Sequence, residues 1–175
     1  MKNDEIMELD FSGWPVPDEY LIEMGRVGAL WASLETCLNV FIGKLAGFNE
    51  YDPKPFILVN HSSFPQKLDM LGALCEQLVS DYPQLTDYKG VIAKLRSAQK
   101  KRNIYAHNAI SPDPDTGKMK MANGSARGTL KVSVDTVELA DIRRASIEIN
   151  EANVALYKLV LGQTIPPMAE VRKKK

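Results

Sequence analysis

Cysteine and histidine are scarce, with two of each in 175 residues. Cys37 and Cys75 sit far apart inside apolar helical patterns and form neither a paired metal motif nor a disulfide framework. With His61 and His107 as the remaining soft ligands, a Cys/His zinc site is not expected, and neither is any metal or cofactor. Long apolar runs are absent as well; none approaches the roughly 18–20 residues that span a bilayer. The N-terminus, Met1-Lys2-Asn3-Asp4-Glu5, is acidic with no apolar stretch behind it, unlike a secretory signal. No glycine-rich phosphate loop and no Ser/His/Asp order stands out. These absences lead to the expectation of a cytoplasmic protein with no membrane partner. What the chain does have is 45% hydrophobic and 25% charged residues, the composition of an ordinary globular domain.

Net charge is also missing: 22 Lys and Arg balance 22 Asp and Glu. The balance conceals a polarity. Met1 to Glu23 carries seven acids against one base, whereas Lys89 to Lys131 carries ten bases against two acids over 43 residues. A segment so basic attracts phosphates and suits nucleic acid, although a solvated helix face followed by a basic loop has the same composition.

The periodicity predicts four main helices. Residues 1–17, with Trp14-Pro15-Val16-Pro17, read as an extended lead-in. A first helix starts near Asp18 and carries the stripe Met24, Val27, Trp31, Leu34, Leu38, Phe41, Leu45 in alternating steps of three and four, with Gly47 as its stop. Residues 48–62 read as a connection holding the short apolar piece Phe56-Ile57-Leu58-Val59. Ser63 with Gln66 forms a capping box before the stripe Leu68, Leu71, Cys75, Leu78. Pro83 interrupts, and a third helix from about Gln84 carries Tyr88, Val91, Ile92, Leu95 and Ala98. Then the texture changes. Asn123-Gly124 is a strong hairpin signal between Met119–Met121 and Thr129–Val134, and Leu130, Val132 and Val134 alternate as in a half-buried strand. Asp135 with Glu138 reads as a second capping box, opening a helix with Ile142, Ala145, Ile149, Ala152, Leu156 and Leu159 and closed by Gly162. The expected fold is an all-α bundle of four main helices, with a small β-hairpin at about 119–134 before the last. The domain spans 18–162, followed by a basic disordered tail at 163–175.

The chemistry concentrates in Lys100-Lys101-Arg102-Asn103-Ile104-Tyr105-Ala106-His107-Asn108. Arg102 continues the apolar stripe seven residues after Leu95. It lies five residues before His107, about 140° around an ideal helix, so the two side chains do not stack. Asn103 and His107, four apart, do, which lets Asn103 orient the imidazole. Arg102 and His107 then converge only if the helix unwinds at His107 or if two copies meet across a two-fold axis. Arginine and histidine suffice to cleave RNA without metal. The 2′-hydroxyl is a built-in nucleophile, histidine moves a proton near neutral pH, and arginine holds the phosphate. A histidine near a helix end also serves as a cap or packs. Glu35, facing the same way as Trp31, is a partner for Arg102 or Lys101. His61 reads as a loop residue. Asp113-Pro114-Asp115-Thr116-Gly117 reads as a turn, since its glycine is misplaced for a calcium loop.

Arg102-Asn103-x-x-x-His107, late in a small all-α domain, resembles the signature of the HEPN superfamily (higher eukaryotes and prokaryotes nucleotide-binding): Arg, four to six residues, then His, often with a polar residue directly after the Arg. Leu34-Glu35 in the first long helix, Ser63-Phe64-x-x-Lys67 opening the second and the helix order extend the resemblance over residues 18–162. It implies a helical bundle, homodimerisation around the motif and metal-independent endoribonuclease activity, as in members that act as toxins or in antiviral defence. RNA and an antitoxin protein are then the implied partners. Arg102 and His107 carry over as the catalytic pair with Asn103 as polar support. Lys100 and Lys101, in the basic segment beside them, are the candidate RNA contacts, and Glu35 and Tyr105 are candidate supporting residues. Ala109 stands where the subgroup paired with nucleotidyltransferase antitoxins has tyrosine, so that regulation is not carried over. The rival readings are a non-catalytic HEPN-like module binding RNA, nucleotide or protein, and a plain interaction bundle.

Overall fold

A computed structural model describes residues 13–49, 52–125 and 128–163. Among these residues it is mostly helical, with five α-helices and a small three-stranded antiparallel sheet. Of the expected lead-in only residues 13–17 are described, with Val16 buried; the basic tail after Gln163 lies outside the described residues. Among the described residues no helix is long and apolar enough to cross a membrane.

The first helix, α1 (Asp18–Leu45), buries Val27, Trp31, Leu34, Leu38 and Phe41, the expected stripe, and leaves Met24 and Leu45 half-buried at its ends. It stops at Gly47 as expected. Phe48 N–H reaches Gly43 O and Gly47 N–H reaches Lys44 O, both at 3.1 Å, with Gly47 at φ 82°. That pair of bonds is a Schellman motif, which requires a left-handed residue where only glycine is unstrained. The connection that follows is not structureless. Phe56-Ile57-Leu58-Val59 belongs to a short helix, α2 (Lys54–Val59), started by Asp52, whose carboxylate accepts from Lys54 N–H at 2.9 Å. It docks on α1 at Gly43, where a Cβ would lie 2.6 Å from the Pro55 ring.

The next helix, α3 (Phe64–Leu78), begins with the expected capping box: Gln66 Oε1 accepts from Ser63 N–H at 2.8 Å. A 3-10 turn, Pro83–Asp87, leads into α4 (Tyr88–His107), which buries Val91, Leu95 and Ala98. The last helix, α5 (Leu139–Leu161), buries every residue of its predicted stripe and ends at Gly162 in the left-handed conformation. It runs parallel to α1. Glu23 pairs with Arg143 and Cys37 with Tyr157, each pair 120 residues apart in sequence, so the two helices advance in step. Glu23 is buried and also pairs with Arg26. Burial alone would raise its pKa, but hydrogen bonds and charge from Arg143 and Arg26 outweigh that and hold the carboxyl below its usual value.

The sheet departs most from expectation. It is a meander of β1 (Ile110–Pro112), β2 (Met119–Ser125) and β3 (Lys131–Thr136), so strand structure extends outside 119–134 at both ends. Asn123 and Gly124 are not the turn. They pair within the ladder with Ser133 and Val132, and Asn123 Nδ2 donates to Asp135 Oδ2 at 2.6 Å across the strands. The chain reverses after Ser125, where Gly128 has φ 78°. The half-buried arm is also the other one. Met119 and Met121 of β2 are buried against the helices, whereas Leu130, Val132 and Val134 are 63–78% exposed. Alternation alone does not say which face meets the core; here polar Ser133 and Asp135 share the helix-facing side with Met121. Because Asp135 and Thr136 are held in the ladder, the capping box of α5 forms three residues later than expected, from Glu138 and Asp141.

Candidate functional site

The last two turns of α4 carry the Arg–His string. The helix stays helical through His107, and Asn108 closes it by donating to Ile104 O at 2.9 Å. Arg102 nevertheless meets His107 within one chain: its Nη1 lies 3.1 Å from His107 Nε2. Neither unwinding nor a second copy is needed. On an ideal helix the two Cα atoms stand about 140° apart, yet the length of the arginine side chain closes that gap. The same Nη1 donates to Asn103 Oδ1 at 3.1 Å. Asn103 thus fixes the guanidinium rather than contacting the imidazole as expected. A guanidinium only donates, so Nε2 presents its lone pair in this contact.

Trp31 on α1 supplies the floor. Arg102 Cζ stands 5.5 Å from its ring centroid, close enough for a cation–π contact, and the ring packs on Phe64 at 4.5 Å. Residue spacing hid this role, because Trp31 reads as one more member of an apolar stripe. Arg102 is half-buried and His107 exposed. The pair therefore faces solvent from a braced position.

Glu35 does not pair with Arg102 or Lys101. It takes Lys67, whose buried Nζ lies 2.9 Å from Glu35 Oε1. A buried ammonium needs a carboxylate more than the exposed ends of α4 do. Lys101 pairs with Glu148 at 3.6 Å instead, and Lys100 is exposed. Tyr105 turns to the neighbouring helix face, where Lys101, Tyr105, Met121, Asn123, Asp135 and Arg144 help line an open cleft of about 380 Å³. Burial, followed by the charge of Asp141, pushes the Tyr105 phenol above its ordinary value, so it stays protonated. The cleft was not visible in the sequence, since its walls come from α4, α5 and the sheet.

The remaining candidates lie away from this pair. His61 is exposed between α2 and α3. Asp113 turns the chain between β1 and β2, accepting from the backbone of Thr116 and Asp115 and from the Thr116 hydroxyl. The Thr116 backbone bond, then its hydroxyl, hold that carboxyl below its usual range. Cys75 is fully buried, which pushes its thiol up to about 11 and leaves it inert near neutral pH. Cys37 Sγ and the Tyr157 hydroxyl share a hydrogen bond at 3.1 Å; that bond, then burial, hold the phenol above its ordinary value.

Set beside protein-family models, curated proteins and solved structures, the chain matches none of them.

Proposed function

We infer that the chain is a metal-independent endoribonuclease of HEPN type that cleaves RNA through its own 2′-hydroxyl. The observation that carries this reading is the 3.1 Å contact between Arg102 Nη1 and His107 Nε2 on the solvent side of α4. Arg102, braced by Asn103 and Trp31, binds the scissile phosphate and stabilises the charge that builds on it. As the guanidinium moves to phosphate oxygen, it releases the Nε2 lone pair. His107 then takes the 2′-hydroxyl proton or delivers one to the leaving 5′-oxygen. The 2′-oxygen bonds to phosphorus, the 5′-oxygen departs, and a 2′,3′-cyclic phosphate remains. Lys100 carries the flanking strand, with Lys101 beside it at the cleft. Two copies assemble, RNA is the substrate, and an antitoxin-like protein is the partner that restrains the activity in the cytoplasm.

The test is purified protein incubated with mixed cellular RNA in excess chelator. Wild type is expected to leave fragments ending in 2′,3′-cyclic phosphate, while His107→Ala leaves RNA intact at unchanged melting temperature. DNA, lacking the nucleophile, is inert. RNA that is bound by wild type but never cut assigns the chain to the non-catalytic binding class instead.

A further inference from the structure

The sheet ends in an edge strand, β3. Strand order β1-β2-β3 leaves β3 unpaired on one side among the described residues, and every residue from Lys131 to Thr136 is exposed. Such an edge invites pairing with another strand unless it is blunted. The hydrogen-bond phase of β3 is known. Val137 N–H bonds Met119 O at 2.9 Å, which makes 119/137 a hydrogen-bonded pair of the β2–β3 ladder. Stepping by two, Met121/Asp135 and Asn123/Ser133 are hydrogen-bonded pairs too. The backbone groups of Val132, Val134 and Thr136 therefore point away from β2, to the open side.

We propose that β3 pairs antiparallel with β3 of a second copy about a two-fold axis through Ser133, joining the two sheets into one of six strands. Only registers that match outward-pointing residues with one another are allowed, so the register can shift only in steps of two. The register centred on Ser133 is singled out by charge. It sets Lys131 opposite the partner's Asp135 and Asp135 opposite the partner's Lys131, in non-hydrogen-bonded positions where side chains approach closest. On the outer face it sets Val132 against the partner's Val134, and Val134 against the partner's Val132. That covers valines which are 66% and 63% exposed in a single chain. A shift by one allowed step either way puts lysine opposite Val137 or Ser133 and loses both charge pairs.

The pairing also completes the cleft. Asp135 forms part of its wall beside Asn123, whose amide it binds. Each copy therefore receives the partner's Lys131 at the rim, adding a cation next to Lys101 and Arg144. This interface lies on the sheet and is separate from any contact around Arg102 and His107, so it stands or falls independently of the proposed activity.

Ser133→Cys is the decisive variant. Opposed residues at a non-hydrogen-bonded pair have Cα atoms about 4.5 Å apart, within disulfide reach. Under oxidised glutathione this variant is expected to run as a covalent dimer on a non-reducing gel, while wild type does not. Sedimentation supplies the second arm. Lys131→Asp and Asp135→Lys are each expected to weaken dimerisation about tenfold, and the double exchange to restore it, because two pairs are affected per dimer. Val134→Pro removes an outward N–H without touching the β2 ladder, so it is expected to abolish this dimer at near-wild-type helicity. A Ser133→Cys chain that forms no disulfide-linked dimer under oxidant, or an assembly state that Val134→Pro leaves unchanged, overturns the proposal.

Discussion

Arg102 Nη1 meets two acceptors, Asn103 Oδ1 and His107 Nε2, while its Cζ stands over the Trp31 ring. Three unrelated side chains thus agree on one guanidinium position. A cation–π contact is worth about 0.5–2 kcal/mol, so Trp31→Leu, which keeps an apolar filler, is expected to slow cleavage roughly two- to thirtyfold. The check is a rate measurement at saturating RNA alongside a melting curve. A rate that falls only in step with the folded fraction removes Trp31 from the site. Much of this arrangement was legible in the residues: the polar pair on α4, its five-residue spacing and its place at a helix end. What could not be read was where a flexible side chain lands. Arginine spans the gap that ideal geometry opened, and Glu35 follows the buried Lys67 rather than the exposed arginine.

At the scale of the element, close approach decides two cases. Gly43 lets the Pro55 ring of α2 press on α1, and a Cβ there would sit 2.6 Å from it. Gly43→Ala is expected to destabilise the fold by about 1–3 kcal/mol, since a buried ring cannot step aside cheaply. Chemical denaturation measures it; an unchanged midpoint contradicts the docking. The second case is the tie of Glu23 to Arg143 and Arg26, which fastens the starts of α1 and α5. With the folded carboxyl held below its unfolded value of roughly 4.3, its stabilising effect is complete above that pH and is lost as pH falls through the lower folded value. Glu23→Gln is therefore expected to be less stable than wild type by about 2 kcal/mol at pH 7, with the gap closing toward pH 3. A pH-independent gap contradicts it. The long helices were readable because a stripe such as Ile142 to Leu159 repeats over many turns. The sheet was not. A short alternating run looks the same whether its apolar side faces core or solvent, and Val132 and Val134 took the solvent.

Across the whole molecule the basic segment is partly spent on internal pairing. Arg96 meets Asp69 at 3.0 Å and Lys101 meets Glu148 at 3.6 Å, which leaves fewer cations for a phosphate chain than the sequence count suggests. If Lys100 and Lys101 follow the RNA, affinity falls steeply with salt between about 50 and 200 mM, and replacing both lysines flattens the slope by about one to two counterions. Affinity indifferent to salt assigns them to a solvated face.

The central claim, that Arg102 and His107 act as one catalytic unit, is tested most directly by a double-mutant cycle on the cleavage rate of a defined RNA in chelator. Each single change, Arg102→Ala or His107→Ala, is predicted to cost about 10²–10⁴ in rate. The double variant is predicted to be no slower than the worse single, because residues that work as a unit are lost together. Single variants that cut at the wild-type rate, or losses that multiply in the double variant, would contradict it.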